Sequence, residues 1–479
     1  MDEQFLLEQA ISSAERLQIL EESIRKQQKL IDELNEVLLA TKTRRNACVP
    51  ISCLPPEILV KIFSFAQLTE LDRHGYRKTG FYVSKWISLT YVCRHWRNIA
   101  LAAPDLWVGL PISKPNWVEE MVKRSQECGL VIDTGSASVS YGSSLGLRLA
   151  LQYIHRITEL SMTYSNLASV NLPPSAPQLD YVILKNLSSG QMRIRDEILC
   201  ETPRLRHLEL TNCRINLNSH HLLRCRTLTV LKLLNVKCES TVTGNDIVHL
   251  LTQLPDLQIL VLCNTLPSEQ TEGDGSWGHQ NLHLPHLQIL HIESSGTAIE
   301  GFFRCVAFPP TAKVQVFSKQ GHLNSSRFSN GVRELARSYS NGNQEINFQS
   351  MIIRYANPKN KIRIRLYTEV FEDSDMIKHI DDLGIPLYMR FIFHDTETIP
   401  QLMHTIFNCG INLLGVKRLY YTSTITPYLP DVMACTLGRL PLLNSAMLKR
   451  TAARPFLEAL VHSDQLHVMA DGNSTSVQT

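Results

Sequence analysis

From Leu6 to Leu38 apolar residues return every seven positions. Ala10, Leu17, Ile24, Ile31 and Leu38 fall on one row and Leu6, Leu20 and Leu34 on the next, with Ser13 and Gln27 in its two remaining places. No Gly or Pro interrupts, and charged residues take the other faces, so the pattern predicts one long helix. Residues 6–38 fit a coiled coil that would make a homodimer, or an amphipathic helix lying on its own protein. Only Arg16 with Glu21 offers a good charge pair beside the seam.

A polar, basic linker from Thr41 to Pro50 leads to an apolar block, Ile51 to Ile112. In ISCLPPEILVKIFSF, Pro55 or Pro56 suits a first helical turn and Glu57 suits the positive end of the dipole. Ile58, Leu59, Ile62 and Phe63 then share one face. A second helix is predicted through SLTYVCRHWRNIALAAP, with Leu89, Val92, Cys93, Trp96, Ile99 and Ala100 at helical spacing and Pro104 as its stop. The polar stretch Gln67 to Lys85 between the two helices is expected to loop out.

Farther on, alternation replaces helical spacing. The phrase P-x-L-x-x-Φ-x-Φ, with Φ apolar, occurs at Pro177 (PQLDYVIL), Pro203 (PRLRHLEL), Pro255 (PDLQILVL) and Pro285 (PHLQILHI), with RTLTVLKL at Arg226. The starts lie 26, 23, 29 and 30 residues apart, in or just beyond the leucine-rich-repeat range. ITELSM at Ile157 and PLLNSAML at Pro441 look like an early and a late copy. A short strand with one apolar row cannot bury that row alone, but stacked units share a core and a parallel sheet. Asn245 to Leu254 reads as a helix between copies, ended by the next proline. The expected fold is therefore multidomain: an all-α N-terminal part followed by an α/β leucine-rich-repeat-like solenoid, the alternative being an ordinary α/β domain. The expected divisions are residues 1–46, 50–112, a linker and lead-in at 113–155, the array at 156–465, and a flexible tail at 466–479. Asp133 to Gly146 and Ser268 to Gln280 read as loops.

Residues between the buried ones should project from the sheet toward a target. The candidates are Tyr181, Ile183 and Lys185, then His207 and Glu209, then Lys232, Val261 and His291, with Glu209 and Lys232 expected to pair across neighbouring strands. The whole outward row, which also takes in Thr211, Val230, Leu234, Ile259, Cys263, Ile289 and Glu293, is more apolar than a bare solvated face, which points to a partner or a covering loop. From Ala312 to Leu366 the pattern loosens. KIRIRL (361–366) reads as a solvated edge strand guarded by charge, or else as a contact for phosphate or an acidic substrate.

Composition narrows the function. With 48 basic against 45 acidic side chains the net charge is +3, and no footprint for nucleic acid or an anionic membrane is present. The acidic N-terminus is unlike a secretory signal, and no apolar run reaches the ~20 residues of a membrane span. A cytoplasmic or nuclear protein is expected. No two of the 12 cysteines stand in C-x2-C spacing, which argues against zinc modules and RING-type ligase domains. His279, His283, His286 and His291 lack a completing ligand, and G-D-G-S-W-G (273–278) reads as a turn. No catalytic signature is found, so neither an enzyme nor a cofactor is expected.

One segment resembles a family. L-P-P-E-I-L-x-x-I-F from Leu54, V-C-R-x-W-R-x-I-A from Val92, and the closing P-x-L-W from Pro104 closely resemble the F-box of large fungal families of F-box proteins. The resemblance covers about sixty residues. It implies that the segment binds the Skp-type adaptor of a cullin-based SCF ubiquitin ligase while the downstream repeats bind the protein substrate. Carried over by position, Leu54, Pro55, Ile58, Leu59, Ile62 and Phe63 would face the adaptor, joined by Val92, Cys93 and Trp96. The other reading is an F-box and repeat scaffold that assembles complexes without ligase activity.

Overall fold

The computed structural model describes residues 2–67, 86–134, 141–163, 175–188, 190, 192–194, 201–217, 222–238, 243–267, 277, 281–318, 331–337, 346–356, 361–370, 386–392, 407, 411–423, 440–450, 467–471 and 474–478. Most of the insertion expected at Gln67 to Lys85, and most of that at Ser268 to Gln280, lies outside the described residues.

The N-terminal heptads form one helix, α1 (Asp2–Ala47). Leu17, Leu20, Ile24, Ile31, Leu34 and Leu38 on its seam remain exposed. A 3-10 turn at Pro50–Cys53 then leads into α2 (Pro56–Gln67), with Pro56 in its first turn beside Glu57. The second helix is shorter than its spacing predicts. Ser88–Tyr91 is a 3-10 turn, and α3 (Arg94–Ala102) begins only after Cys93. The reason is local: Cys93 is extended (φ −158, ψ 167), and its Sγ accepts the Trp96 amide as an N-cap. Pro104–Trp107 ends the region as a 3-10 turn.

The chain then enters a sheet. Strand β1 (Gly109–Leu110), helix α4 (Pro115–Arg124), strand β2 (Leu130–Asp133) and helix α5 (Tyr141–Leu151) precede β3 (Ile157–Thr163). The loop expected through Gly146 is in part helix, because Gly146 serves packing rather than a turn. A Cβ there would sit 2.0 Å from the Ile112 carbonyl oxygen, so only glycine lets α5 approach that backbone. The repeat copies become β4 (Tyr181–Lys185), β5 (His207–Thr211), β6 (Val230–Leu234), β7 (Ile259–Cys263) and β8 (Ile289–Ser294), with β9 (Lys313–Ser318) next. All nine strands pair in parallel and in sequence order. From β4 to β8 equivalent residues align: Val182, Leu208, Leu231, Leu260 and Leu290 lie side by side and are buried. The segment between copies predicted as a helix, Asn245 to Leu254, is α6 (Gly244–Thr252), capped by a reciprocal Thr243–Asp246 box. Helix α7 (Gly296–Cys305) follows β8.

An asparagine closes four of the strands. Asn212, Asn235 and Asn264 adopt positive φ (57, 53 and 52°), a conformation asparagine tolerates better than most residues. Each amide, like that of Asn186, donates to a carbonyl of the next repeat: Asn186 to Thr211, Asn212 to Leu234, Asn235 to Cys263, Asn264 to Glu293. The Asn212 side chain also donates to the Asn186 and Ser188 carbonyls, and Asn235 Nδ2 donates to Asn212 Oδ1.

Sequence order then breaks. The next strands are β10 (Ser350–Ala356), β11 (Lys361–Tyr367) and β12 (Leu387–Ile392), yet β12 pairs with β9, β11 runs antiparallel to both β12 and β10, and β10 pairs with β13 (Arg418–Ser423). KIRIRL is therefore an interior strand, not a solvated edge; its two partners come from sequence the repeat phrase does not mark. β14 (Ser445–Arg450), the late copy at Pro441, pairs with β13, and the segment expected as a tail contributes β15 (His467–Asp471) and β16 (Ser474–Gln478). One apolar core runs from Leu59 and Phe63 through Leu106 and Leu110 into the sheet and on to Leu448.

Candidate functional site

Two surfaces carry the residues singled out by sequence. The first is the helical block. Leu59 and Phe63 are both 0 % exposed, in the chain's own core. Phe63 packs against Trp96 with ring centroids 5.1 Å apart, while Trp86 meets Trp107 edge-on at 5.0 Å and Trp107 Nε1 donates to the Ala100 carbonyl at 2.8 Å. These contacts hold α2, α3 and the closing turn together, so Leu59 and Phe63 are structural and do not belong to an outward face. Ile58 (41 % exposed) and Ile62 (37 %) do, together with exposed Pro55 and Val92; Leu54, Cys93 and Trp96 are half-buried beside them. Phe65, well exposed, continues the outward face of α2, and Tyr91, before α3, is well exposed too. Phe65 could have been found from spacing alone, since 58, 62 and 65 follow the i, i+4, i+7 rule.

The second surface is the sheet face opposite the leucines. Here burial differs from expectation. Ile183, Glu209, Lys232 and Val261, at the middle of their strands, are buried, whereas Tyr181, Lys185, His207 and His291 are half-buried. The central row is thus shielded, and its charges pair laterally. Glu209 faces Lys232 in register and lies 3.7 Å from its Nζ, 3.0 Å from Lys185 Nζ, and 4.0 Å from His207 Nε2. Burial alone would raise the Glu209 carboxyl, but His207, Lys185 and Lys232 outweigh it and lower its pKa to about 2. Burial lowers His207, whose ring stacks on Tyr181 at 4.0 Å. The pairing across β5 and β6 was legible in sequence; Lys185 as its third member was not, because it reaches diagonally.

Of the four histidines weighed for a metal, His291 on β8 has metal-ligand neighbours in Glu293 of the same strand and Cys263 of the neighbouring β7: Cys263 Sγ, a His291 nitrogen and a Glu293 carboxylate oxygen lie within 4.8 Å of one another. Arg390 stands 3.5 Å from that carboxylate, so the cluster already holds a cation. Among the described residues no helix is long and apolar enough to cross a membrane.

Compared with known families, residues 51–110 match the F-box-like family. The match ends at β1 and covers none of the later strands. No curated protein matches the chain.

Proposed function

We propose that this chain, whose residues 51–110 form an F-box-like domain, is the non-catalytic substrate-recognition subunit of an SCF-type ubiquitin ligase. F-box domains are protein-interaction modules that typically bind Skp-type adaptors, commonly within such ligases. The observation that carries the reading is the set of exposed apolar side chains Pro55, Ile58, Ile62, Phe65, Tyr91 and Val92, on a helical block whose interior is already filled by Leu59, Phe63 and Trp107. Exposed apolar side chains sharing one helix face, as Ile58, Ile62 and Phe65 do on α2, mark a protein-binding surface, and a helix-in-groove contact suits that helix. The adaptor would link the chain to a cullin, in the cytoplasm or nucleus. The downstream sheet, a leucine-rich-repeat-like solenoid in this reading, would hold the protein substrate; its repeated phrase and its aligned parallel strands support this.

The test is co-expression of the full chain with a Skp-type adaptor, as wild type and as Ile58→Ala with Ile62→Ala. Two interface anchors at roughly 2 kcal/mol each predict at least a hundredfold weaker binding of the variant. A wild-type chain that never co-purifies with the adaptor overturns the proposal. Adaptor binding without recruitment of a cullin would favour the scaffold reading.

A further inference from the structure

Four arginines meet on β10, β11 and β12, on the same sheet face as Glu209 and Lys232. The register sets Arg354 opposite Arg363 across one antiparallel pair and Arg363 opposite Arg390 across the next. Arg365, two residues along β11, stands between Ile352 and Tyr388. Like charges directly opposite one another destabilise a sheet. Here they are also buried: Arg365 is only 4 % exposed, and Arg354, Arg363 and Arg390 are half-buried.

Aromatic rings frame the cluster. Arg365 lies 4.7 Å from the Tyr388 ring centroid, Arg354 5.4 Å from Tyr420, and Arg390 3.8 Å from Phe317. Such rings attract and orient a guanidinium without neutralising it. Among the described residues, Glu293 is the one acid in salt-bridge reach of the four, beside Arg390. Nε and Nη1 of Arg365 and Nε of Arg354 and Arg363 are shut away from solvent with no hydrogen-bond partner. Leaving charged donors buried and unmet is costly, and four together more so, and the described residues supply no acceptor for these four. Burial, and then the charges of Arg365 and Arg363, press the Arg354 guanidinium below its ordinary pKa against the opposing pull of Tyr420.

The chemistry of the missing partner follows from the donors. Planar guanidinium forks match oxyanions bidentately, and four of them against one carboxylate among the described residues call for more than a single negative charge. A phosphoryl group carries about −1.5 to −2 at neutral pH and three acceptor oxygens. We propose that Arg354, Arg363, Arg365 and Arg390 form a phosphoryl-binding site, with Arg365 at its base and Arg390 at its mouth. That the phosphoryl group comes on a target protein rests on the function proposed above; a free phosphate compound would use the same chemistry.

The experiment uses the full chain in chloride buffer. Thermal unfolding is followed on adding inorganic phosphate or sodium chloride at matched ionic strength, for wild type, Arg365→Gln and Arg390→Gln. Phosphate should raise the wild-type melting temperature above the chloride control, and the gain should vanish in Arg365→Gln and shrink in Arg390→Gln. Without phosphate, Arg365→Gln should melt above wild type, because an uncompensated buried charge is gone. Should Arg365→Gln fail to fold, Arg390→Gln and the broadening of the inorganic phosphate 31P signal by wild type decide. No phosphate-specific gain in wild type, or an equal gain in the variants, overturns the site. In a second arm, a pool of phosphoserine peptides with random flanks is compared with its unphosphorylated twin. Preferential retention assigns the group to a protein; a phosphate gain without retention assigns it to a free compound. Adaptor co-purification should persist in Arg365→Gln. Its failure in wild type overturns the ligase reading and leaves the phosphate measurement standing.

Discussion

Lys185 on β4 reaches diagonally to β5 and places its ammonium 3.0 Å from the Glu209 carboxylate, closing from one side a cluster that Lys232 closes from the other. The folded pKa of Glu209 is lowered from 4.5 to about 2, so its stabilisation is fully present above about pH 4.5 and is lost as pH falls toward 2. A shift of this size is worth roughly 3 kcal/mol. Glu209→Gln should therefore cost stability at neutral pH and flatten the acid limb. Urea unfolding of both proteins at several values between pH 6 and pH 3 checks this, and parallel acid limbs would contradict it.

The asparagine ladder makes a different prediction. Asn212→Ala keeps a left-handed backbone without the side-chain bonds to the Asn186 and Ser188 carbonyls, and should cost about 2–3 kcal/mol. Asn212→Gly relieves the backbone and loses only the bonds, so it should cost less. Chemical denaturation of the pair separates the two contributions, and equal losses would mean that the backbone conformation contributes nothing.

Within α2, burial separates neighbours. Leu59→Ala empties a fully buried site and should cost about 2–5 kcal/mol, whereas Ile62→Ala, on the exposed side, should change stability by less than about 1 kcal/mol. Melting curves of the two single variants test this division, and it fails if Ile62→Ala is the more damaging.

The exposed seam of α1 predicts self-association. Leu17, Leu20, Ile24, Ile31, Leu34 and Leu38 lie exposed along one helix, uncovered among the described residues, and a second copy is the simplest way to bury them. Sedimentation at tens of micromolar should show a dimer for the full chain and a monomer once residues 1–46 are removed. Two monomers would leave the seam to another protein.

What was legible followed from local period. The strands at Pro177, Pro203, Arg226, Pro255 and Pro285 could be read because their leucines repeat at fixed offsets, and α6 because Asn245 to Leu254 has helical spacing and stops at Pro255; its Thr243–Asp246 cap went unread. The asparagine seven residues beyond the first leucine in four of these copies (Leu179 to Asn186, Leu205 to Asn212, Leu228 to Asn235, Leu257 to Asn264) was equally present and went unread. Leu59 and Ile62 could not be told apart, since apolar spacing marks a face without saying what covers it. Arg354 and Arg390 were invisible as neighbours of Arg363, because antiparallel pairing across long separations sets them beside it. The F-box-like match at residues 51–110 supports the resemblance read from Leu54 to Trp107.

The reversal of strand order after β9 has a kinetic consequence. Up to β9, each strand can add to a neighbour made shortly before it, so ordering can nucleate anywhere and spread along the array with low contact order. β12 must instead find β9 across the interval from Ser318 to Leu387, and β13 must find β10 across the whole β11–β12 excursion. Loop closure must precede those contacts, so the C-terminal third should assemble last and unfold first. Between synthesis of β9 and arrival of β12, the outer edge of β9 is an open strand, the chain's most exposed moment for pairing with a second copy of itself.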